Sequence, residues 1–121
     1  MSQKGSSEEH TNLVNKTVFT VGSSKYARVW KNATGVARAM DNDNRIIRFG
    51  LPGSSDILGV VNSGHILCLE CKTGDAKQNK QQRNFQKMID SMGGIYILVR
   101  PETNVLLEVK RAIIQKETLN S

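Results

Sequence analysis

The sequence predicts one α/β domain, a mixed β-sheet flanked by helices, and three observations predict it. Two apolar runs, 57–61 and 65–71, flank a turn that ends in Gly64 and read as a hairpin of central strands. Two further stretches, one from Ser6 to about residue 20 and one from Gln78 to Met92, carry apolar side chains at helical spacing. The 121 residues, 38% apolar with only six aromatics, suffice for one aliphatic core, so the domain is expected to span 1–121 with 1–5 and about 117–121 as flexible ends.

Ser6 with Glu9 three residues later has the form of a capping box. The helix it starts has an inner stripe of Leu13, Val14, Thr17, Val18 and Val21. Glu9 lies one turn before Leu13, at the edge of that stripe, and Glu8 is rotated away from it. His10 and His65 read as surface or strand-end residues rather than ligands. Tyr26–Trp30 predicts a first strand and Lys31–Gly35 a turn. Val36–Met40 reads as strand or loop, Asp41–Asn44 as a polar bend, and Ile46–Phe49 as a short edge strand.

Gly50 to Ser55 is a glycine-rich approach to the hairpin, suited to close contact of backbone with whatever Asp56 binds. A three-residue loop of Asn62, Ser63 and Gly64 pairs Val61 with His65, and therefore Asp56 with Glu70. Directly opposed side chains on one face stand about 5 Å apart, and Lys72 shares the face of Glu70. A two-residue loop would instead put Asp56 opposite Cys71. One face of the hairpin carries Asp56, Leu58, Val60, Ile66, Cys68, Glu70 and Lys72, the other Ile57, Gly59, Val61, Leu67, Leu69 and Cys71. Both are apolar in their middles, which predicts cover on both sides.

After Thr73–Asp75 the second helix, with Gly93 as its stop, buries Phe85, Met88, Ile89 and Met92. Gln82 lies on that stripe near the helix start and needs a polar partner. Ile95–Val99 is a buried strand. Val105–Val109 reads as its hairpin partner through Pro101–Asn104, and the tail beyond Lys110 as a fraying helix.

Composition excludes several classes. No segment approaches the roughly 20 apolar residues of a membrane helix. The N-terminal residues lack the apolar core of a secretory signal, so a cytoplasmic location is expected. Cys68 and Cys71 fall on opposite faces of a strand and have no second pair, so neither zinc nor redox chemistry follows from their spacing. Residues 50–53 are not followed by the G-K-[ST] of a phosphate-binding loop. No serine or cysteine nucleophile with a poised histidine is visible. The net charge is +6, with Lys25, Arg28, Lys31, Arg38, Arg45 and Arg48 before the hairpin and Lys77, Lys80, Arg83 and Lys87 after it. Two carboxylates and a lysine at the ends of buried strands, set between cationic clusters, suit a divalent cation beside a nucleic-acid phosphate.

These residues carry a resemblance. Gly53-Ser54-Ser55-Asp56 followed by Glu70-Cys71-Lys72 resembles the PD-(D/E)xK nuclease core. Trp30-Lys31-Asn32-Ala33-Thr34-Gly35 is similar to the aromatic-basic-Asn-x-x-Gly element of the virus-type replication-repair nuclease (VRR-Nuc) family. Gly53 to Gly59 looks like that family's G-x-x-D-hydrophobic-x-G stretch, and Gln82-Arg83-Asn84-Phe85 its Q-x-x-aromatic helix signature. The likeness runs from about Glu9 to Arg100 and is to the stand-alone phage or bacterial type. It departs at Ser55, where the proline before the aspartate is displaced to Pro52, and at Lys31, where arginine is usual.

The resemblance implies a restriction-endonuclease-like core and a metal-dependent DNA endonuclease. Asp56 and Glu70 would hold Mg2+ or Mn2+ with the backbone carbonyl of Cys71, and Glu9 would join through water, with Glu8 as the alternative. Lys72 would orient or deprotonate the attacking water or stabilise the phosphate, and Gln82 would position Lys72 or the water. Lys31, Asn32, Arg48, Ser54, Lys77, Lys80 and Arg83 are the expected DNA contacts. Branched DNA such as four-way (Holliday) junctions is the expected substrate and a two-fold homodimer the expected assembly, with no membrane and no small organic cofactor. An inactive DNA-binding module of the same fold and a sequence-specific restriction-type nuclease are the alternatives.

Overall fold

The alternation of residues 57–71 is realised in a computed structural model that describes residues 7–38 and 45–119. Strand β4 (Ile57–Val61) turns through Asn62–Gly64 into β5 (Ile66–Cys71). Gly64 takes φ 90°, the left-handed value such a turn requires. The antiparallel register pairs Ile57 with Leu69, Leu58 with Cys68, Gly59 with Leu67 and Val60 with Ile66. It is the expected register, and its next step sets Asp56 opposite Glu70.

Strand β1 (Ala27–Lys31) lies antiparallel on the other edge of β4, from Ala27 opposite Val61 to Lys31 opposite Ile57. Strand β6 (Ile95–Val99) runs parallel to β5. The sheet is therefore mixed, in the order β1-β4-β5-β6. Strands β2 (Gly35–Arg38) and β3 (Ile46–Phe49) form a separate antiparallel pair, so Ile46–Phe49 is not an edge of the main sheet. The expected flexible start, the capping serine Ser6, the Asp41–Asn44 bend and residues 120–121 lie outside the described residues.

Helices cover both faces. Helix α1 (Ser7–Gly22) and helix α3 (Val105–Leu119) place Leu13, Val14, Val21, Val105, Val109 and Ile113 against Ile57, Val61, Leu67, Leu69 and Cys71. Helix α2 (Lys80–Ser91) packs Phe85 and Ile89 onto Cys68 and Leu58 of the opposite face. That second layer does not reach the turn end of the hairpin, where Val60 and Ile66 are exposed. Cys68 and Cys71 are free, buried and in different layers, as the strand alternation requires. Burial pushes their thiols up to about 11 and about 12.

Two expectations are corrected. Val105–Val109 is the first part of α3, not a strand. Val105, Val109 and Ile113 recur every four residues, and the Asn104 side chain accepts the Leu107 amide at 3.3 Å as the helix starts. Beyond Lys110 the chain is helical, as expected, and the helix runs to Leu119. Met92 is 80% exposed because α2 ends one residue earlier, and its amide bonds back to Met88 and Ile89 as the cap. Among the described residues no helix is long and apolar enough to cross a membrane.

Candidate active site

Asp56 enters β4 from a loop that is pinned on two sides. Gly53, at φ 79°, lies so close to the Gln81 backbone at the start of α2 that a Cβ there would collide with it. From the other side Asn32 acts as a latch. Its Nδ2 donates to Ser54 Oγ at 2.7 Å and to the Ser55 carbonyl at 2.9 Å, and its amide donates to the Asp56 carbonyl at 2.8 Å. Ser55 is fully buried and its hydroxyl donates to the Ile57 carbonyl at 3.0 Å. The glycine-rich loop is therefore held between the end of β1 and the start of α2.

The side chain of Asp56 closes the end of the hairpin. Its Oδ2 accepts the Cys71 amide at 2.8 Å, and its own amide donates to Glu70 Oε1 at 3.3 Å. Glu70 is 2% exposed, and its Oε2 is buried with no hydrogen-bond partner. Burial, and then the adjacent Asp56 carboxyl, push the Glu70 carboxyl up to about 9, with Lys72 opposing the rise. A buried, unpartnered carboxylate oxygen costs about 1–3 kcal/mol or more, and a cation is one partner that offsets it. Asp56, Glu70 and the Cys71 carbonyl are the hard oxygen donors such an ion would use. Among the described residues no group of three or more His, Cys, Asp or Glu side chains is placed to hold a metal, so a site here would need that backbone carbonyl.

Lys72 follows β5 directly, and its amide continues the parallel ladder by donating to the Val99 carbonyl at 2.9 Å. Its ammonium donates to Gln82 Oε1 at 2.9 Å. Gln82 is also the third residue of α2 and completes a capping box. Its Oε1 accepts the Asn79 amide at 2.9 Å while its own amide donates to Asn79 Oδ1 at 2.9 Å.

The side chain that α1 sends to this cluster is His10. Its Nε2 lies 3.3 Å from Asp56 Oδ2 and 3.1 Å from the Cys71 carbonyl. Glu9 is exposed and lines a neighbouring groove with Asn12, Leu13, Lys16, Thr73 and Pro101, and Glu8 is exposed too. The signal for His10 was its phase, four residues before Val14 and seven before Thr17 on the inward stripe. His65 keeps to its turn, with Nδ1 2.8 Å from Ser63 Oγ.

The expected DNA contacts divide. Lys31, Lys77 and Lys80 are exposed. Lys31 stands at the Asp56 end of the sheet, opposite Ile57, and Lys80 opens α2. Asn32 and Ser54 are bonded to each other, and the Arg83 guanidinium donates to the Gln78 carbonyl at 2.8 Å. The Arg48 side chain lies outside what is described, although its backbone pairs with Val36. Comparison of the chain with models of known protein families gave no match, and comparison with curated proteins gave none either.

Proposed function

We propose that this chain is a divalent-metal-dependent endonuclease with a restriction-endonuclease-like core, hydrolysing phosphodiester bonds in DNA. One observation carries the reading: Asp56 and the orphaned Glu70 carboxylate face each other across the hairpin end, with Lys72 fixed beside them by Gln82. The mixed order β1-β4-β5-β6 with helices on both faces and the motif resemblance to VRR-Nuc nucleases support the same assignment.

Asp56, Glu70 and the Cys71 carbonyl would hold Mg2+ or Mn2+, which supplies a more acidic water and neutralises phosphoryl charge. Lys72 keeps its ammonium on the Gln82 side-chain oxygen, from where it would stabilise negative charge developing on the attacked phosphate and orient the water. Lys31 at the Asp56 end of β1 and Lys80 at the start of α2, with the exposed Lys77, would supply the cations that draw a DNA backbone over the site. Branched DNA is the proposed substrate. A four-way junction offers two equivalent strands, which a two-fold homodimer would cut.

The experiment compares labelled four-way junction, flap, single-stranded and linear duplex DNA in Mg2+, Mn2+ or EDTA, with the wild type and Lys72→Ala. Junction cleavage that needs both metal and Lys72 supports the proposal. Metal-dependent cutting of every substrate keeps the chemistry and removes the junction selectivity. Tight junction binding without cleavage makes the chain a binding module, and discrete fragments from plain plasmid DNA make it a sequence-specific nuclease.

A further inference from the structure

We propose that His10 is a direct nitrogen ligand of the metal at this site and makes it prefer Mn2+ to Mg2+, an inference that rests on the metal-dependent reading above. His10 Nε2 faces the same two oxygens that would bind the ion, Asp56 Oδ2 at 3.3 Å and the Cys71 carbonyl at 3.1 Å. Neighbouring ligands on an octahedral ion with bonds near 2.1 Å stand about 3.0 Å apart. His10 Nε2 therefore stands from each of the two oxygens at nearly the spacing of adjacent ligands. Among the described residues His10, Asp56 and Glu70 are not preassembled as a three-side-chain ligand group, so Glu70, whose Oε2 is buried without a partner, would have to shift toward the ion to add an oxygen donor.

Both oxygens only accept hydrogen bonds, so between them alone Nε2 must present a proton. With an ion between them the same nitrogen can present its lone pair instead, provided the ring's proton sits on Nδ1. The side chain is 40% exposed, so solvent can accept a proton carried there. The fold holds the ring in place independently of any ion. His10 continues the inward stripe of α1, whose Leu13, Val14 and Thr17 are buried in the layer that also contains Cys71. An imidazole among carboxylate and carbonyl oxygens moves a site from Mg2+, which favours oxygen and water, toward Mn2+ and other transition ions.

The test is metal binding by the intact chain without DNA, so its readout does not depend on cleavage. Mn2+ binding is followed by electron paramagnetic resonance with Mg2+ as competitor, and pulsed measurements detect any directly bonded 14N. The wild type is expected to bind Mn2+ more tightly than Mg2+ and to show one nitrogen coupling. His10→Ala should lose that coupling and weaken Mn2+ binding on the order of tenfold or more, since even outer partners of metal ligands are commonly worth 10- to 100-fold. Mg2+ binding should fall less. Asp56→Asn should weaken both ions. Absence of nitrogen coupling in the Mn2+-loaded wild type overturns the role of His10 without needing a variant to fold. So does a His10→Ala chain that binds Mn2+ as tightly as the wild type or more so, because Nε2 would then be a proton donor competing with the ion. Mn2+ binding that survives Asp56→Asn unchanged, or no binding by the wild type, sinks the metal-site reading itself.

Discussion

Gln82 Oε1 accepts two hydrogen bonds, from the Lys72 ammonium and from the Asn79 amide, each at 2.9 Å. One oxygen thus ties the start of α2 to the lysine at the end of β5. Gln82→Ala should destabilise the chain by about 1 kcal/mol through the lost cap and slow cleavage about 10- to 100-fold through a mispositioned Lys72. Gln82→Glu keeps an acceptor and should recover most of the stability. Thermal unfolding and single-turnover cleavage of the three chains separate the two effects.

Lys72→Ala removes the hydrogen bond to Gln82 Oε1 and should cost about 1 kcal/mol of stability. Cleavage should fall on the order of 10²–10³-fold. Asp56→Asn should abolish cleavage while leaving DNA binding intact or stronger, because a carboxylate is removed from the surface proposed to meet phosphate. Filter binding alongside cleavage assays reads both, and activity that survives Asp56→Asn would refute the assignment of that residue.

Without divalent cations, stability should depend on pH through Glu70. Its carboxyl stands at about 9 in the folded chain against an ordinary 4.5. The folded state therefore binds the proton more tightly than the unfolded state. The associated stability is fully present below about 4.5 and is lost as pH rises toward about 9. Urea midpoints in EDTA should fall across that window, Glu70→Gln should flatten the fall, and saturating Mn2+ should oppose it by favouring the ionised carboxylate. Equal slopes for wild type and Glu70→Gln would show that Glu70 is not the group responsible.

Asn32 and Lys31 are neighbours with different expected roles. Asn32→Ala removes the latch on Ser54 and Ser55 and should cost about 1–3 kcal/mol while displacing Asp56. Lys31→Ala alters an exposed side chain and should leave the melting temperature nearly unchanged. Its effect should appear as weaker DNA binding, with the salt dependence reduced by about one counterion.

Gly59 tests the sheet alone. A Cβ there would collide with the Arg28 carbonyl and crowd Val29 across the β1–β4 pair. Gly59→Ala should cost about 2–3 kcal/mol, measured by urea denaturation, although the residue lies away from every proposed ligand.

The hairpin was legible in the sequence because its loop is short and ends in Gly64, which leaves one register that buries Leu67 and Leu69. Asp56, Glu70 and Lys72 follow from that register by alternation alone, and Gln82 from its place on a helical stripe. Val105–Val109 misled because five residues of mostly apolar character satisfy both a strand and the first turns of a helix. Only the longer interval through Ile113 distinguishes them. His10 was missed because phase places a side chain on a face but does not say which partner the far end of that face will meet. Glu9, one position away, has the more familiar chemistry, and only the packing of α1 against β5 shows that His10 approaches Asp56.

The ladder bond from the Lys72 amide to the Val99 carbonyl also bears on how the chain comes off the ribosome. His10 emerges first, the two carboxylates some fifty residues later, and Gln82 after them, yet Lys72 is seated only when β6 has joined β5. A growing chain thus carries every group of the cluster well before it can hold them together. Assembly waits for β6, which is synthesised after all of them, so a fragment ending before residue 99 would lack the geometry that the β5–β6 pair enforces.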